Sequence, residues 1–268
     1  MLGGSYELLG GGKGANQALA ARRAAAKVML VGAVGHDSFA AVALGSLRGE
    51  GIDTRLVRRL KLPTGCAMIM VSAAGESMIA LAPGANTGAR SEWISDELLD
   101  ARPLLVAQLE VPIEETEALI RRVRRHGGRS LLNLAPAAHV AGDLLSDVDF
   151  LVANEHEAES LPFDPPDTAR RLRSGLVITR GAAGADAFFA DGGRVHVAAL
   201  AIDPVDTTGA GDTFVGVFAA ALDFGASVET ALRRASAAAG LACLARGART
   251  AMPDAAAIDA AVLRLPTP

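Results

Sequence analysis

The sequence predicts an α/β protein: a doubly wound, mainly parallel sheet flanked by helices, with a small β lid. Three observations carry this expectation. Short apolar runs alternate with helical patterns along most of the chain, which favours parallel strands joined by helices. Glu110, Asn133 and Asn154 stand at or just after the ends of such runs, where doubly wound sheets bind their ligands. A hairpin signal at Ala74-Gly75-Glu76 interrupts the series, as an appendage lying over a pocket would.

The elements follow in order. Tyr6 to Leu9 can form part of a strand, and Gly10-Gly11-Gly12-Lys13-Gly14-Ala15-Asn16 opens an Ala-rich helix running to about Lys27. Val28 to Val34 reads as a buried strand, and Gly35-His36-Asp37 turns it into a helix over Ser38 to Arg48. Cys66 to Val71 and Ser77 to Leu81 form the hairpin, closed by Pro83-Gly84-Ala85-Asn86. Alternation then resumes with strand Leu104 to Leu109, helix Ile113 to His126, and strands Ser130 to Leu134, Phe150 to Val152 and Gly175 to Arg180. A second hairpin is expected around Asp191-Gly192-Gly193, between Phe188-Phe189 and Val195 to Val197. The chain ends with helices from Val228 to about Ala245 and near Ala255 to Leu263, and with a frayed Pro266-Thr267-Pro268. No linker divides it, so residues 1–268 are read as one domain with lid segments at about 1–9 and 65–84.

Composition narrows the partners. The 268 residues carry a net charge of −4 and are half hydrophobic with few aromatics, so the core should be helix-rich and built from small side chains. Arg121-Arg122-Val123-Arg124-Arg125 reads as one solvated helix face, and nucleic acid is not an expected partner. Cys66 and Cys243 are too few for a disulfide framework and fit no zinc spacing, in keeping with a reducing, cytoplasmic setting. No signal peptide is apparent and no apolar run approaches the ~20 residues of a membrane span, so no membrane partner is expected.

The chemistry concentrates in Asp206-Thr207-Thr208-Gly209-Ala210-Gly211-Asp212-Thr213-Phe214. Two carboxylates bracket a Gly-Ala-Gly turn that enters an apolar helix. Small residues leave room for a ligand at the unpaired N–H groups, and the helix dipole adds about +0.5 charge there, which makes an anion site. A carboxylate at the mouth of such a site suits the uptake of a proton from an attacking hydroxyl. An N-cap aspartate after a glycine turn is the alternative reading of Asp212.

Two further stretches are candidates. The glycines from Gly10 to Gly14 let the backbone approach a ligand, with Lys13 and Asn16 as polar contacts, or they form a flexible turn. The stretch is neither a P-loop, since Gly14 follows the lysine, nor a dinucleotide motif, since Gln17 stands at the third glycine position. Asn154 and Glu157, three apart at a helix start, could hold Mg²⁺ through its water shell, or could simply form an acidic first turn.

GGGKGANQALAA at Gly10 to Ala21, VGAVGHDSF at Val31 to Phe39, LEVP at Leu109 to Pro112, NEHEAE at Asn154 to Glu159 and DTTGAGDTF at Asp206 to Phe214 together resemble the ribokinase branch of the PfkB carbohydrate kinase family. The matches keep family order over nearly the whole chain. The resemblance implies ATP-dependent phosphorylation of the primary hydroxyl of a sugar, D-ribose first. Fructose, 2-keto-3-deoxygluconate, a nucleoside or a degenerate non-catalytic binding protein stand as alternatives. It also implies roles: Asp212 as catalytic base, with Gly209, Ala210 and Gly211 holding the transferring phosphoryl group, and Gly12, Lys13, Gly14, Asn16 and Glu110 holding the sugar. Nucleotide contacts would come from Asn154, Thr179, Arg180, Gly181, Gly184 and Ser236, and Glu157 would hold Mg²⁺ through water. Asp206, Thr208, Ala242, Ala245 and Gly247 would form a monovalent-cation loop for K⁺, although Ala251 stands where ribokinases commonly offer a hydroxyl. A homodimer through the lid is implied as well. Ribokinases open with an apolar strand and a Gly-x-x-x-x-Asp element before the glycine turn, so the resemblance implies a sheet and lid incomplete at the N-terminus, as in a piece of a longer kinase.

Overall fold

The computed structural model describes residues 6–71 and 77–266, so the tip of the first hairpin, Ala74-Gly75-Glu76, lies outside the described residues. Residues 6–12 have no regular structure, and Tyr6, Leu8 and Leu9 are exposed. The expected strand at Tyr6 to Leu9 is therefore corrected: among the described residues its backbone has no partner strand, and its apolar side chains are exposed. The first helix, α1 (Lys13–Arg23), ends four residues short of Lys27, because Ala25 turns to a φ of 76° and closes the end.

β1 (Met29–Val34) leads into α2 (Ser38–Gly49), whose N-cap Asp37 accepts from the Ala40 N–H at 3.1 Å. The chain returns through β2 (Asp53–Arg59), which pairs in parallel with β1. The expected lid hairpin is an antiparallel pair, β3 (Cys66–Val71) and β4 (Ser77–Ala82), separate from the other strands among the described residues, with Met68, Ile69, Met70, Met78 and Leu81 exposed. A short α3 (Asp96–Asp100) precedes β5 (Leu104–Ala107), followed by α4 (Ile113–Arg125), β6 (Arg129–Asn133), β7 (Phe150–Asn154), α5 (Glu155–Ala158), α6 (Pro165–Arg171) and β8 (Gly175–Thr179). β9 (Ala185–Phe189) and β10 (Arg194–Val197) are the second hairpin, and α7 (Ala210–Asp223), α8 (Val228–Ala242) and α9 (Ala255–Val262) finish the chain.

The main sheet has six strands in the order β10-β9-β8-β7-β6-β5, parallel from β5 to β8 and antiparallel beyond. Alternation along each strand buries both faces. Leu131, Phe150, Val152 and Val177 pack towards α7 and α8, where Phe218 meets Phe150 edge-on at 5.5 Å between ring centroids. Leu132, Leu151, Leu176 and Ile178 face the opposite way, against Ile120 of α4 and Ala169 of α6. Each such fully buried side chain contributes roughly 1.5–3 kcal/mol of burial free energy.

β1 and β2 do not join this sheet. Among the described residues β1 pairs only with β2 and β5 only with β6, and an apolar groove of about 490 Å³ lies between them, lined by Leu30, Val31, Leu104 and Val106. The parallel strands thus fall into two sheets connected by helix packing, with the groove between β1 and β5 interrupting the pairing. α1 carries the β1–β2 unit and crosses α7 closely, with Val217 and Ala220 of α7 in one cluster with Leu19 and Ala20. Gly216 makes that approach possible, since a Cβ there would run into the Gln17 carbonyl and stand 2.7 Å from the Ala20 Cβ.

The basic stripe of α4 is ion-paired, where a solvated face was expected. Arg121 lies 3.2 Å from Glu117 and 3.3 Å from Asp143, Arg122 lies 2.6 Å from Asp96, and Val123 between them is buried. No described helix is long and apolar enough to cross a membrane.

Candidate active site

The geometry of the Asp212 loop begins with Gly209. It caps α7 at φ 79° and ψ 1°, a left-handed conformation that glycine adopts without strain, and a Cβ there would come within 2.8 Å of the Ala248 Cβ. The turn aims the first N–H groups of α7 outward. The Ala210 N–H reaches the Thr207 carbonyl at 3.2 Å, whereas those of Gly211 and Asp212 find no backbone acceptor among the described residues. Gly211 is exposed, and a Cβ on it would meet no atom within 4 Å. Both residues line a cavity of about 230 Å³ that also takes in Lys13, Asn133, Asn154, Glu157 and Thr179.

Asp212 is buried and held by two amides. Asn16 Nδ2 donates to Oδ2 at 2.9 Å, and Gln17 Nε2 donates to Oδ1 at 3.0 Å. Gln17 Nε2 also donates to Asn133 Oδ1 at 2.9 Å, and Gln17 Oε1 accepts from Gln108 Nε2 at 2.6 Å. Amides on α1, braced by Asn133 of β6 and by Gln108 just past β5, therefore fix the carboxylate. Adjacent residues supply a cation and a second acid. Lys13 lines the same cavity, and its backbone N–H donates to Glu110 Oε2 at 2.8 Å. Burial pushes the Glu110 carboxyl above the usual carboxylate range; the Lys13 N–H and charge oppose this, and the Asp212 charge adds to it.

Asn154 and Glu157 form a reciprocal capping box: Asn154 Oδ1 accepts from the Glu157 N–H at 2.7 Å, and Glu157 Oε2 accepts from the Asn154 N–H at 2.9 Å. The structural alternative for this pair is therefore realised, yet both residues line the cavity with Asp212. The capping box occupies one carboxylate oxygen of Glu157. Its second oxygen takes no protein donor among the described residues, a donor set that suits a hydrated divalent cation.

Other expected residues lie apart from this cavity. Arg180 is engaged with Asp186 and Glu155, each at 2.6 Å, and its N–H closes the Gly181 to Gly184 turn by donating to the Gly184 carbonyl at 2.7 Å. Ser236 is buried in α8 and donates to the Ala198 carbonyl at 2.8 Å. In the expected cation loop the Asp206 carboxylate accepts from the Gly247 N–H at 2.8 Å and the Thr208 N–H at 2.9 Å, and these bonds hold its carboxyl below the usual range. Ala242 is buried at the end of α8 and Ala245 is exposed beyond it.

Sequence reasoning missed Gln17, Gln108 and Arg249. Gln17 was legible in part, as the second of two consecutive amides in an otherwise apolar helix. Arg249 carried no signal: it is a buried arginine whose Nε donates to Asn16 Oδ1 at 3.0 Å from 233 residues away.

The chain is similar to known sugar kinases. The chain is 34% identical over 270 residues to a ribokinase of Schizosaccharomyces pombe, covering 93% of this chain and 85% of the relative. It is also 34% identical over 259 residues to a deoxyribokinase of Salmonella typhi, covering 91% and 84%. Its structure superposes on that of Arabidopsis thaliana ribokinase complexed with ribose and ATP with a TM-score of 0.90 and 28% identity, covering 98% of this chain and 90% of that one. With the family model for pfkB family carbohydrate kinases matching residues 1–255, the chain belongs to that family.

Proposed function

We propose that this protein transfers the γ-phosphoryl group of ATP to the primary hydroxyl of a pentose, D-ribose first. The observation that carries the reading is one cavity in which a fixed carboxylate, Asp212, stands beside free helix N–H groups at Gly211 and Asp212 and beside Lys13. In this reading the sugar hydroxyl gives its proton to Asp212 as its oxygen bonds to the γ-phosphorus, and the bond from phosphorus to the β-phosphate oxygen breaks to release ADP. Free N–H groups at the start of α7 meet the charge that develops on the phosphoryl oxygens. Gly12, Lys13, Gly14, Asn16 and Glu110 hold the sugar, with Glu110 tied to the backbone of Lys13.

Asn154 with the turn from Thr179 to Gly184 takes the nucleotide, and Ser236 lies under its base. Glu157 holds Mg²⁺ through water, and the ion supplies neutralisation of the phosphate charge. Asp206, Thr208, Ala242, Ala245 and Gly247 would surround K⁺ mostly with backbone carbonyls. The exposed apolar lid suits a second copy of the chain, and a cytoplasmic setting suits ATP and the free thiols of Cys66 and Cys243.

A coupled ADP-release assay across sugars tests the proposal. Ribose is expected to give the highest kcat/KM. The equal identity to a deoxyribokinase makes 2-deoxyribose the second sugar to try. A preference for fructose, 2-keto-3-deoxygluconate or a nucleoside would replace the substrate while keeping the reaction. Nucleotide binding without ADP release from any sugar would favour a non-catalytic binding protein.

A further inference from the structure

We propose that Arg249 is a positioning residue that acts through Asn16 to hold the Asp212 carboxylate in its reactive orientation. This rests on the reading of Asp212 as the base and extends it outward by two residues.

Arg249 is only 6% exposed, and each nitrogen of its guanidinium meets an acceptor. Nε donates to Asn16 Oδ1 at 3.0 Å. One terminal nitrogen donates to the Ala43 carbonyl at 2.7 Å and to Ser46 Oγ at 3.1 Å, and the other donates to the Gly11 carbonyl at 2.6 Å. A single planar fork therefore ties α2, α1 and the glycine turn together.

The chemistry of these groups decides what the fork does. Guanidinium can only donate, and the ionised Asp212 carboxylate can only accept. The Asn16 amide between them has one end of each kind, so it must turn its oxygen to Arg249 and its nitrogen to Asp212, as it does. A flipped amide would set NH₂ against a cation and oxygen against a carboxylate. Without Arg249 the flip loses half of this penalty, and the amide can then release Asp212 Oδ2. Burial pushes the Arg249 guanidinium down to about 10 while the Asp212 charge pulls it up, so it stays cationic at neutral pH. Lysine is no equivalent here, since a compact ammonium with three donors cannot serve four divergent acceptors from one plane.

The test measures kcat and KM for ATP in the parent and in Arg249→Met, Arg249→Lys, Asn16→Ala, the double variant Asn16→Ala with Arg249→Met, and Asp212→Asn. Misplacing a catalytic group by about 1 Å costs on the order of 10²-fold, so Arg249→Met should lower kcat about 10- to 100-fold with the ATP KM within about two-fold of the parent. If Arg249 acts through Asn16, the double variant should be no slower than Asn16→Ala alone, because residues acting as one unit are not additive. Arg249→Lys keeps a charge in the buried site, and so keeps the test open should Arg249→Met fail to fold; it too should lose at least five-fold in kcat. Parent-like kcat in Arg249→Lys, or losses in the double variant that multiply, would overturn the proposal. An active Asp212→Asn would instead remove the assignment of the base, which separates the two failures.

Discussion

Asn16 Nδ2 lies 2.9 Å from Asp212 Oδ2, a contact between α1 and α7 that spans 196 positions of the chain. The glycine turn that opens α1 and the glycine turn that opens α7 are thereby two sides of one site. Both turns are positioned by the same pair of crossing helices.

Asp212→Asn is expected to lower kcat by ~10²–10⁴, the range for a positioned base, while ATP affinity changes little, because the anion site is backbone. Steady-state kinetics beside an ATP titration would check this. Activity within a few-fold of the parent would remove Asp212 from its role.

Gly211→Ala separates stability from catalysis. A methyl there meets no atom within 4 Å, and alanine is favoured over glycine in a helix by up to ~1 kcal/mol, so Tm should hold or rise. The same methyl stands where the phosphoryl oxygens would approach the Gly211 N–H, and kcat/KM should fall at least ten-fold. A fall in Tm with unchanged turnover would contradict both halves.

Glu157→Gln should raise the Mg²⁺ concentration for half-maximal rate without weakening sugar binding. Glutamine serves a capping box as glutamate does, so the helix start survives and the charge alone is removed. An Mg²⁺ titration at saturating ATP that superposes on the parent's would return this residue to a purely capping role.

The raised carboxyl of Glu110 gives a pH dependence with a definite sign. A folded-state value above the unfolded one means that the folded protein holds the proton more tightly, so this contribution is complete below the ordinary range near about 4.5 and is lost as pH rises through the raised value. Thermal melts of the parent and Glu110→Gln from about pH 4 to 8 should therefore show the variant gaining on the parent as pH rises. A constant gap would indicate a carboxyl with no raised value.

Local features of the chain were readable and distant ones were not. β6, β7 and β8 announce themselves as apolar runs because both faces are buried, and the Asp212 loop does so because its turn needs small residues. β2 escaped notice: Asp-Thr-Arg-Leu-Val-Arg-Arg lies in a two-stranded sheet with Arg55, Arg58 and Arg59 turned out, leaving only Leu56 and Val57 as an apolar signal. Within the site, the expected Asp212, Asn16, Lys13 and Glu110 come together, while Gln108 and Arg249, which brace the amides, do not show in the sequence. Gln108 meets Gln17 across 91 positions, and Arg249 meets Asn16 across 233, distances that no local pattern encodes. The stripe on α4 misled for the same reason, since the acids that neutralise Arg121 and Arg122 sit largely on other elements.

Gly216 has a consequence for how this protein can change. In a helix interior, replacing glycine by alanine ordinarily stabilises by ~0.5–1 kcal/mol, which makes such positions easy routes to a hardier variant. Here the methyl would wedge α1 away from α7, against the Gln17 carbonyl and the Ala20 methyl, and would carry Asn16 and Gln17 off the carboxylate that they hold. The spacing of two helices is thus a single dial for robustness and reactivity. Drift at this position cannot be silent: a Gly216→Ala lineage should melt earlier and turn over more slowly in the same step, and only changes on the facing side of α1 could bring both back together.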